Sequence, residues 1–111
     1  MGLHLPERFP ERCDYVTTPG YLDGKEARER EGLVRGGPLR IISHLGVMGF
    51  DDDTCRMKLT SYHPGVTPEV IQEFTGFEPL VPDNVVETPR PTEDELRILR
   101  EEVDPNQLFV F

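Results

Sequence analysis

The side chains best suited to metal binding or nucleophilic catalysis are the three histidines and the two cysteines, and they are widely spaced. No two of them lie at the short separations that zinc ligands keep. The acidic run at 51–53 is similar to the start of a calcium loop, but Arg56 occupies the sixth position, where such a loop needs glycine. The sequence therefore predicts no metal site. The five residues are His4, Cys13, His44, Cys55 and His63.

Nucleophilic catalysis has two candidates, and neither has the partners that it needs. Cys13 is followed by Asp14, whose negative charge disfavours formation of the thiolate nucleophile. Ser61 lies two residues before His63, so both would share one face of a strand, but no third group orients the histidine as in a catalytic triad. Because His63 directly precedes Pro64, we expect it to hydrogen-bond the turn there rather than act as an acid–base catalyst.

The segment 20–26 is only superficially similar to a phosphate-binding loop. It has one residue too few between its glycines, and Glu26 stands where the magnesium-binding serine or threonine belongs. A glycine-rich dinucleotide fingerprint does not occur either. The sequence thus predicts no nucleotide site within this chain.

The charge balance narrows the classes of partner. The chain has 12 basic and 21 acidic residues, which give a net charge of -9 and an isoelectric point near 4.7. Phosphate backbones and anionic lipid surfaces repel such a chain, so we expect neither nucleic acid nor membrane as a partner. The sequence contains no apolar run near the roughly 18 residues of a membrane span, and its first residues lack the pattern of a signal peptide. We therefore expect a cytoplasmic protein with reduced cysteines.

Alternating apolar and polar residues predict several strands in the first part of the chain. We expect a short strand at 13–17 that ends in a turn. The strongest strand pattern covers 39–43 and continues over 45–50 to a hairpin turn at 51–54. The segment 56–62 alternates with period two, as a half-buried return strand does. Its buried face would consist of Met57, Leu59 and Ser61.

The stretch 61–77 predicts a strand that turns sharply into a helix. Pro64 and Gly65 favour a tight turn, because proline presets φ and glycine tolerates positive φ. Thr67 is a good N-cap and is followed by proline at the first helical position. Gly76 is a natural stop for the helix. The buried face of this helix would consist of Val66, Val70, Ile71 and Phe74.

Four segments are predicted to be connections rather than regular elements. We expect residues 1–11 to form an extended arm and residues 21–38 a long exposed connection, which allows one helical turn over 26–30. The segment 77–82 is too rich in proline for a central strand, so it is an edge strand or a loop. Residues 82–91 form a proline-rich linker to a C-terminal helix.

The C-terminal helix is predicted over 92–104. Thr92 and Glu95 match a capping box, and Asp104-Pro105 ends the helix. One face of it would carry Leu96, Leu99 and Val103, and the apolar tail at 108–111 should dock on this chain or on a neighbouring one.

Three segments of the chain are informative when read together and in order. The first is the threonine-rich strand and turn at 12–21, and the second is the pattern at 41–51. The third contains Ser61-Tyr62-His63-Pro64-Gly65-Val66-Thr67 and continues through Thr75-Gly76-Phe77 to residues 91–105. The ordered set resembles the C-terminal part of the β subunit of class I CoA-transferases, a family that includes glutaconate and 3-oxoacid CoA-transferases and related ring-degrading acyl-CoA hydrolases.

The resemblance implies an α/β fold, with an open mixed or mostly parallel sheet and flanking helices, as part of one subunit of an α/β pair. In that family CoA moves from an acyl-CoA donor to a carboxylic acid through a glutamyl-CoA thioester, and an oxyanion hole stabilises the tetrahedral intermediates. Coenzyme A is then a substrate of the complete complex, and no separate cofactor is implied. The family-like turns imply substrate contacts at Thr18, Gly20, His63 and Gly65.

This sequence departs from the family in length and in its catalytic motif. A family β subunit is more than twice as long, and its glutamate nucleophile lies in a Ser-Glu-Asn-Gly-like motif of the N-terminal half, near a glycine-rich oxyanion loop. Neither motif occurs here, so no residue is assigned as catalytic. We therefore expect residues 1–111 to form the C-terminal portion of a β-subunit-like domain that is inactive alone. Its partners would be the α subunit and an upstream β-subunit segment.

Two alternatives stay open on the sequence alone. Some relatives lack the nucleophilic glutamate and hydrolyse a ring-derived acyl-CoA, and the deciding residue would lie upstream of this sequence. The chain could also be a stand-alone, non-catalytic interaction module. The strand edges of a truncated sheet would then favour a homo-oligomer, because unpaired edges attract partners.

Overall fold

A mixed four-stranded sheet forms the centre of this protein, whose computed structural model describes residues 3–33 and 36–109. The strand order is β1-β2-β3-β4; β2 is antiparallel to both of its neighbours, whereas β3 and β4 are parallel. Short helices accompany the sheet, so the predicted α/β class with an open mixed sheet is confirmed. The elements are a 3₁₀ turn (Pro6–Arg8), α1 (Lys25–Arg30), β1 (Ile41–Ile42), β2 (Gly46–Phe50), β3 (Met57–Tyr62), α2 (Pro68–Glu73), β4 (Val86–Glu87), α3 (Glu93–Ile98) and a π-helical turn (Leu99–Val103).

The hairpin of β2 and β3 forms where the sequence predicts it. Asp51 begins the turn, and its Oδ2 accepts hydrogen bonds from Thr54 N at 2.9 Å and from Thr54 Oγ1 at 2.8 Å. On β3 the alternation is also confirmed, because Met57, Leu59 and Ser61 are buried while their neighbours are half-buried or exposed. Local side-chain chemistry is therefore sufficient to set this hairpin.

The pattern at 39–50, predicted to continue as one strand, instead forms two strands joined by a tight turn. Ser43 N donates to Gly46 O at 3.0 Å, which reverses the chain between β1 and β2. Gly46 begins β2 at a place where the backbones approach closely. A Cβ atom at this position would lie 2.5 Å from Ser61 O and 3.1 Å from Ile71 Cδ1. Only glycine fits there without displacing the backbone of β3.

Gly46→Ala should therefore lower the free energy of unfolding by about 1–3 kcal/mol, the usual cost of overpacking a well-packed interior. Gly49→Ala, on the same strand, is the matched control. A Cβ atom there would meet side-chain ends of Arg40 and Thr60 at 3.1 Å, and side chains can move aside. Urea unfolding followed by circular dichroism would measure both variants. Equal destabilisation by the two substitutions would contradict the proposed backbone clash.

The strand predicted at 13–17 does not form. Residues 13–17 adopt no regular structure, and Tyr15 is 83% and Val16 55% exposed. The β-branched and aromatic residues favour a strand only where a second strand supplies hydrogen bonds and a packing surface. The sheet within residues 3–33 and 36–109 provides no such partner for this segment.

The core lies between the sheet and α2. Its buried residues are contributed by the β1–β2 turn, β2, β3 and α2, and Ile71 of α2 is fully buried. Thr67 caps α2 as predicted, since its hydroxyl oxygen accepts from Val70 N at 3.4 Å. Phe74 differs from the prediction, because it is 37% exposed. The five core residues are Leu45, Met48, Met57, Leu59 and Ile71.

Gly76 has a different role from the predicted helix stop. The helix α2 already ends at Glu73. Gly76 instead pairs with the N-terminal arm, donating from its N to Phe9 O at 2.9 Å and forming an isolated parallel bridge with Pro10. A Cβ atom on this glycine would lie 2.6 Å from Phe9 O, so the close approach of the two backbones requires glycine.

The proline-rich region after α2 follows the outer edge of β3. Leu80 bridges β3 through Leu59 N to Leu80 O at 2.8 Å and Leu80 N to Met57 O at 3.0 Å, which agrees with the predicted edge segment. The segment 82–91, expected to be a linker, contains the short strand β4. This strand continues the pairing along β3, and Thr88 N donates to Tyr62 O at 2.7 Å.

The C-terminal helix begins with the predicted capping box. Thr92 N donates to Glu95 Oε2 at 2.8 Å, and Glu95 N donates to Thr92 Oγ1 at 3.2 Å. The helix is α-helical over Glu93–Ile98 and π-helical over Leu99–Val103. Its predicted apolar face is only partly buried within the described chain, since Leu96 and Leu99 are half-buried and Val103 is exposed. In the tail, Leu108 and Phe109 are exposed. The last two residues of the predicted tail, 110 and 111, lie outside the described residues.

Candidate functional site

The most elaborate group of polar side chains surrounds a buried histidine of the N-terminal arm. His4 is 0% exposed, and its ring stacks on Phe9 with the ring centroids 4.0 Å apart. Its Nδ1 lies 3.0 Å from Ser43 Oγ, and its Nε2 lies 2.8 Å from Thr75 Oγ1. His4 N also donates to His44 Nδ1 at 3.0 Å. The arm is therefore bonded both to the β1–β2 turn and to the end of α2.

The hydrogen bonds around His4 determine which atom of each pair donates the proton and which accepts it. Thr75 Oγ1 donates its single hydroxyl proton to Ile71 O at 2.6 Å, so it must accept from His4 Nε2–H. A neutral imidazole then accepts at Nδ1, and Ser43 Oγ–H is the donor. Ser43 Oγ in turn accepts from Leu45 N at 3.2 Å. Every polar atom in this buried group has a partner only while His4 is the neutral Nε2–H tautomer.

A second histidine is bonded to the same turn from the other side. His63 Nε2 lies 3.0 Å from Ser43 O, a carbonyl that can only accept, and His63 Nδ1 lies 3.1 Å from Thr88 Oγ1. Ser61 Oγ is 2.8 Å from the same Thr88 oxygen. When the imidazole is neutral, a chain of donors therefore runs from Ser61 through Thr88 to His63 and on to Ser43 O. His63 N also donates to Leu45 O at 2.9 Å.

These contacts contain serine–histidine pairs, the arrangement of an activated nucleophile, but both serine hydroxyls are buried. Ser43 is 2% exposed and His4 is fully buried. Ser61 is similarly buried and bonds Thr88 rather than His63. A nucleophile must contact its substrate, so the group acts as a polar connection between the arm, two turns and β4.

Acidification should destabilise the fold through His4. Burial lowers the pKa of His4 from its ordinary 6.5, and the neighbouring His44 lowers it further. The unfolded chain then binds a proton near pH 6.5 that the folded chain does not bind, so the His4 contribution to stability is complete above pH 6.5 and is lost progressively below it. The carboxylates whose pKa is lowered, Asp51, Glu69 and Glu95, titrate in a more acidic range.

Urea midpoints at pH 7.5 and pH 5.5 would measure this dependence, and His4→Gln is the comparison because it removes the titrating group. We expect the midpoint of the unchanged protein to fall between these pH values and the fall to shrink in the variant. An equal fall in both proteins would contradict the assignment to His4.

The residues predicted to contact substrate lie in two separate parts of the chain. Thr18 is exposed and Gly20 half-buried in the segment before α1, where Arg28 donates to Gly20 O at 2.7 Å. His63 and Gly65 follow the end of β3; Gly65 is exposed, with a φ of 85 degrees. The hydrogen bonds given above do not join the two pairs, and the role of these residues in substrate binding stays a prediction.

Four residues of the contacts around His4 and His63 are not predicted from the sequence to lie together: His4, Ser43, Thr75 and Thr88. The sequence offers His4 only as a possible metal ligand, and Thr88 lies in the segment predicted to be a linker. One signal is available for the arm, because His4 lies between Leu3 and Leu5, an apolar setting that is unusual for a solvated segment. The contacts themselves join residues 39 to 71 positions apart, and no local pattern predicts them.

Other features of the described chain offer no second site of this kind. No cluster of three or more histidine, cysteine, aspartate or glutamate side chains could hold a metal ion within residues 3–33 and 36–109. A concavity of about 530 Å³ lies between the turn at 22–24, the hairpin tip at 54–57 and Phe77-Glu78. No histidine or serine lines it, so it contains no serine–histidine pair. In the same part of the chain, no helix is long and apolar enough to cross a membrane.

Comparison with known proteins finds relatives among the B subunits of CoA-transferases and the IpdB subunit of a ring-cleaving hydrolase. The chain is 41% identical over 111 residues to the B subunit of glutaconate CoA-transferase from Acidaminococcus fermentans, matching 99% of this chain and 41% of the relative. It is 34% identical over 108 residues to the IpdB subunit of the cholesterol ring-cleaving hydrolase from Mycobacterium tuberculosis. It is also 37% identical over 92 residues to the B subunit of 3-oxoadipate CoA-transferase from Pseudomonas knackmussii. The last two matches cover 97% and 83% of this chain, and 42% and 35% of the relatives. No family model matches the chain.

The solved structures agree with the sequence comparison. The glutaconate coenzyme A-transferase of Acidaminococcus fermentans superimposes with a TM-score of 0.91 at 39% identity, and the match covers 98% of this chain and 42% of the solved one. The IpdAB structure of Rhodococcus jostii RHA1 gives a TM-score of 0.80 at 32% identity, and it covers 96% of this chain and 42% of the solved one. This chain thus spans about two fifths of the length of the curated relatives it matches.

Proposed function

This chain is homologous to part of the B (β) subunits of the CoA-transferase family, and on that premise we propose that it forms the C-terminal portion of such a subunit. In the complete complex, the subunit would take part in the transfer of CoA from an acyl-CoA to a carboxylic acid. The observation that carries the proposal is the 41% identity over 99% of the chain to the B subunit of a glutaconate CoA-transferase. The matching fold supports it.

The proposed contribution of this chain is architectural. The reaction of such transferases proceeds through a glutamyl-CoA thioester, and no glutamate of this chain matches that nucleophile. The nucleophile would come from the upstream part of the β subunit, and the α subunit would complete the active site. CoA is then a substrate, and no resident cofactor is proposed. Thr18, Gly20, His63 and Gly65 are proposed to contribute substrate contacts; the open space around the Cα of Gly65 supports an accessible backbone there.

A second candidate function is hydrolysis of an acyl-CoA. The 34% identity to the IpdB subunit, which its name describes as part of a ring-cleaving hydrolase, favours this alternative over unrelated chemistry. The two functions differ in the bond that reacts: a carboxylate attacks a thioester carbonyl in the transferase, whereas water cleaves a bond of the ring in a ring-cleaving hydrolase. The cytoplasm is the proposed location for either, in keeping with the unpaired cysteines Cys13 and Cys55.

Reconstitution would test the proposal. The chain would be co-expressed with the part of the Acidaminococcus fermentans β subunit that it does not match and with the α subunit of that transferase. We expect transfer of CoA from glutaconyl-CoA to acetate, measured as formation of acetyl-CoA by chromatography. The same mixture without this chain is the control. Addition of one water to a cyclic acyl-CoA, with the ring opened and the thioester retained, would favour the hydrolase, and an assembled complex without either activity would contradict both functions.

A further inference from the structure

A glycine separates two cationic residues across the outer face of the sheet. Gly49 of β2 is paired opposite Lys58 of β3. On the other side, β1 pairs Ile41 with Met48, and this register places Arg40 opposite Gly49 when it is continued by one residue. Residues that lie directly opposite one another share a face of the sheet. The side chains of Arg40 and Lys58 therefore flank the position where Gly49 has no side chain.

This face of the sheet is open because the core lies on the other side. Alternate residues of a strand point to opposite faces, and Leu59 and Ser61 of β3 are buried on the core side. Lys58 and Thr60 therefore share the outer face, where Lys58 is half-buried and Thr60 is exposed. Arg40 is exposed as well. Small solutes can thus reach these side chains.

The guanidinium group of Arg40 lies directly over Gly49. A Cβ atom at Gly49 would lie 3.1 Å from Arg40 Nη1 and 3.1 Å from Thr60 Oγ1. Arg40 Nη1 also donates to Leu39 O at 2.9 Å, which restrains the guanidinium. A guanidinium and a hydroxyl group therefore approach the same point, close enough for one anionic group to contact both. We call Arg40, Lys58 and Thr60 the cationic row.

The positive charge of the cationic row is not used in an ion pair. Among the residues that the structure describes, the ion pairs all involve Arg97, and neither Arg40 nor Lys58 takes part in one. Asp51 is the opposing carboxylate. Hydrogen bonds from Thr54 lower the pKa of Asp51 most, and the charge of Lys58 lowers it further. The positive charge is thus partly offset at the Lys58 end of the row.

A concavity of about 460 Å³ continues from the cationic row towards the segment before β4. Lys58, Thr60 and Asn84 contribute polar groups to its lining, whereas residues 80–82 contribute apolar ones. Asp51 and Leu59 complete the lining. The combination suits an organic molecule that carries an anionic group, because the anion would contact the cations while the organic part contacts the apolar wall.

The charges of the cationic row favour a phosphate monoester over a carboxylate. A phosphate monoester carries about −1.5 to −2 charges near pH 7 and three acceptor oxygens, so it can bond a guanidinium, an ammonium and a hydroxyl group together. The net charge of −9 does not prevent this contact. At physiological salt, charges more than about 8 Å away are largely screened, so the adjacent cations dominate.

We propose that the cationic row binds a phosphate monoester group of a soluble ligand. Coenzyme A is one source of such a group, because its ribose carries a phosphate monoester, and free phosphate is the other. The first source rests on the proposed function, whereas the binding of phosphate itself does not. The site differs from the glycine-rich loops that the sequence lacks, since side chains on a sheet face form it.

Titrations followed by proton–nitrogen correlation spectra would test the proposal on the unsubstituted chain. The probes are inorganic phosphate, CoA and dephospho-CoA, which lacks only the monoester, at pH 7.5 and low ionic strength. We expect the Gly49 and Thr60 amide signals to shift with phosphate, and CoA to bind more tightly than dephospho-CoA if CoA is the source. A shift with phosphate but not with CoA would assign the site to free phosphate.

Three results of these titrations would overturn the proposal. One is the absence of shifts at Gly49 and Thr60 with both phosphate and CoA. Another is an equal shift of these signals with sodium chloride at the same ionic strength. The third is binding of dephospho-CoA at these residues as tight as that of CoA.

Substitutions that each remove one positive charge provide the second test. We expect Arg40→Gln and Lys58→Gln each to raise the Kd of phosphate at least about threefold. Arg100→Gln is the matched control, because Arg100 is exposed in the C-terminal π-helical turn and its loss changes the net charge equally. Its Kd should change less than about 1.5-fold. Equal weakening by all three variants would overturn the proposal, since net charge alone would then attract the anion. Thermal melts would show that the variants are folded.

The outcomes also separate this inference from the proposed function. A reconstituted complex with neither transferase nor hydrolase activity, together with phosphate binding at the cationic row, would leave the site standing and overturn the function. An active complex, together with a free chain whose Gly49 and Thr60 signals ignore phosphate and CoA, would do the opposite.

Discussion

Replacing Ile71 with alanine should lower the free energy of unfolding by about 2–5 kcal/mol, the range for truncating a fully buried aliphatic side chain. Ile71 is 0% exposed and is the residue through which α2 enters the core. Its Cδ1 atom lies near Gly46, at the close approach of β2 and β3. Because a whole domain is stable by only about 5–15 kcal/mol, this loss would be a large fraction of the total.

Val70→Ala is the matched control for Ile71→Ala, since the two residues are neighbours on α2 and Val70 is only half-buried. Urea unfolding followed by far-ultraviolet circular dichroism would measure both variants, because the chain contains no tryptophan for fluorescence. We expect Val70→Ala to lower the free energy of unfolding clearly less than Ile71→Ala does. Similar losses for the two variants would mean that α2 does not hold the core through Ile71.

Replacing His4 with alanine should lower the free energy of unfolding by about 2–4 kcal/mol. The substitution leaves the buried Ser43 hydroxyl without an acceptor for its proton, which costs about 1–3 kcal/mol, and removes the stacking on Phe9, worth about 0.5–1.5 kcal/mol. The loss is limited by the stability of the arm itself, because a detached arm would let water reach Ser43. The measurement is again the urea midpoint, at pH 7.5, where His4 is neutral.

His44→Ala is the control for His4→Ala. His44 is exposed and accepts one hydrogen bond, from His4 N. We expect a loss below about 1 kcal/mol for this variant, as for a single exposed hydrogen bond. In a proton–nitrogen correlation spectrum, His4→Ala should also shift the Gly76 amide signal, because Gly76 N donates to the arm at Phe9 O. An unchanged Gly76 signal would show that the arm does not depend on His4.

The parts of the fold that the sequence predicts well are those set by residues close in the chain. The turn at Asp51 and Thr54, the N-cap at Thr67 and the capping box of Thr92 each depend on a side chain bonding a backbone group three residues away. The alternation of β3 likewise needs only its own residues. Such features follow from local chemistry whichever partners the chain has.

The features that the sequence does not predict depend on residues far apart. The 13–17 segment has the composition of a strand, but a strand also needs a neighbour, and composition does not show whether one is present. The position of His4 is similarly invisible until the β1–β2 turn and the end of α2 come together. The family resemblance is confirmed by homologues, yet it does not indicate the histidine group, because none of its motifs includes His4.

The arm has a further consequence for the order of events during folding. Its contacts through His4 close loops of 39 and 71 residues, whereas the β2–β3 hairpin closes within a few residues. Closing long loops costs chain entropy before any contact is gained, so we expect the hairpin to form early and the arm to dock after the main barrier is crossed. The contacts of His4 would therefore stabilise the protein mainly by lowering the unfolding rate. A variant without these contacts should unfold faster but fold at a nearly unchanged rate.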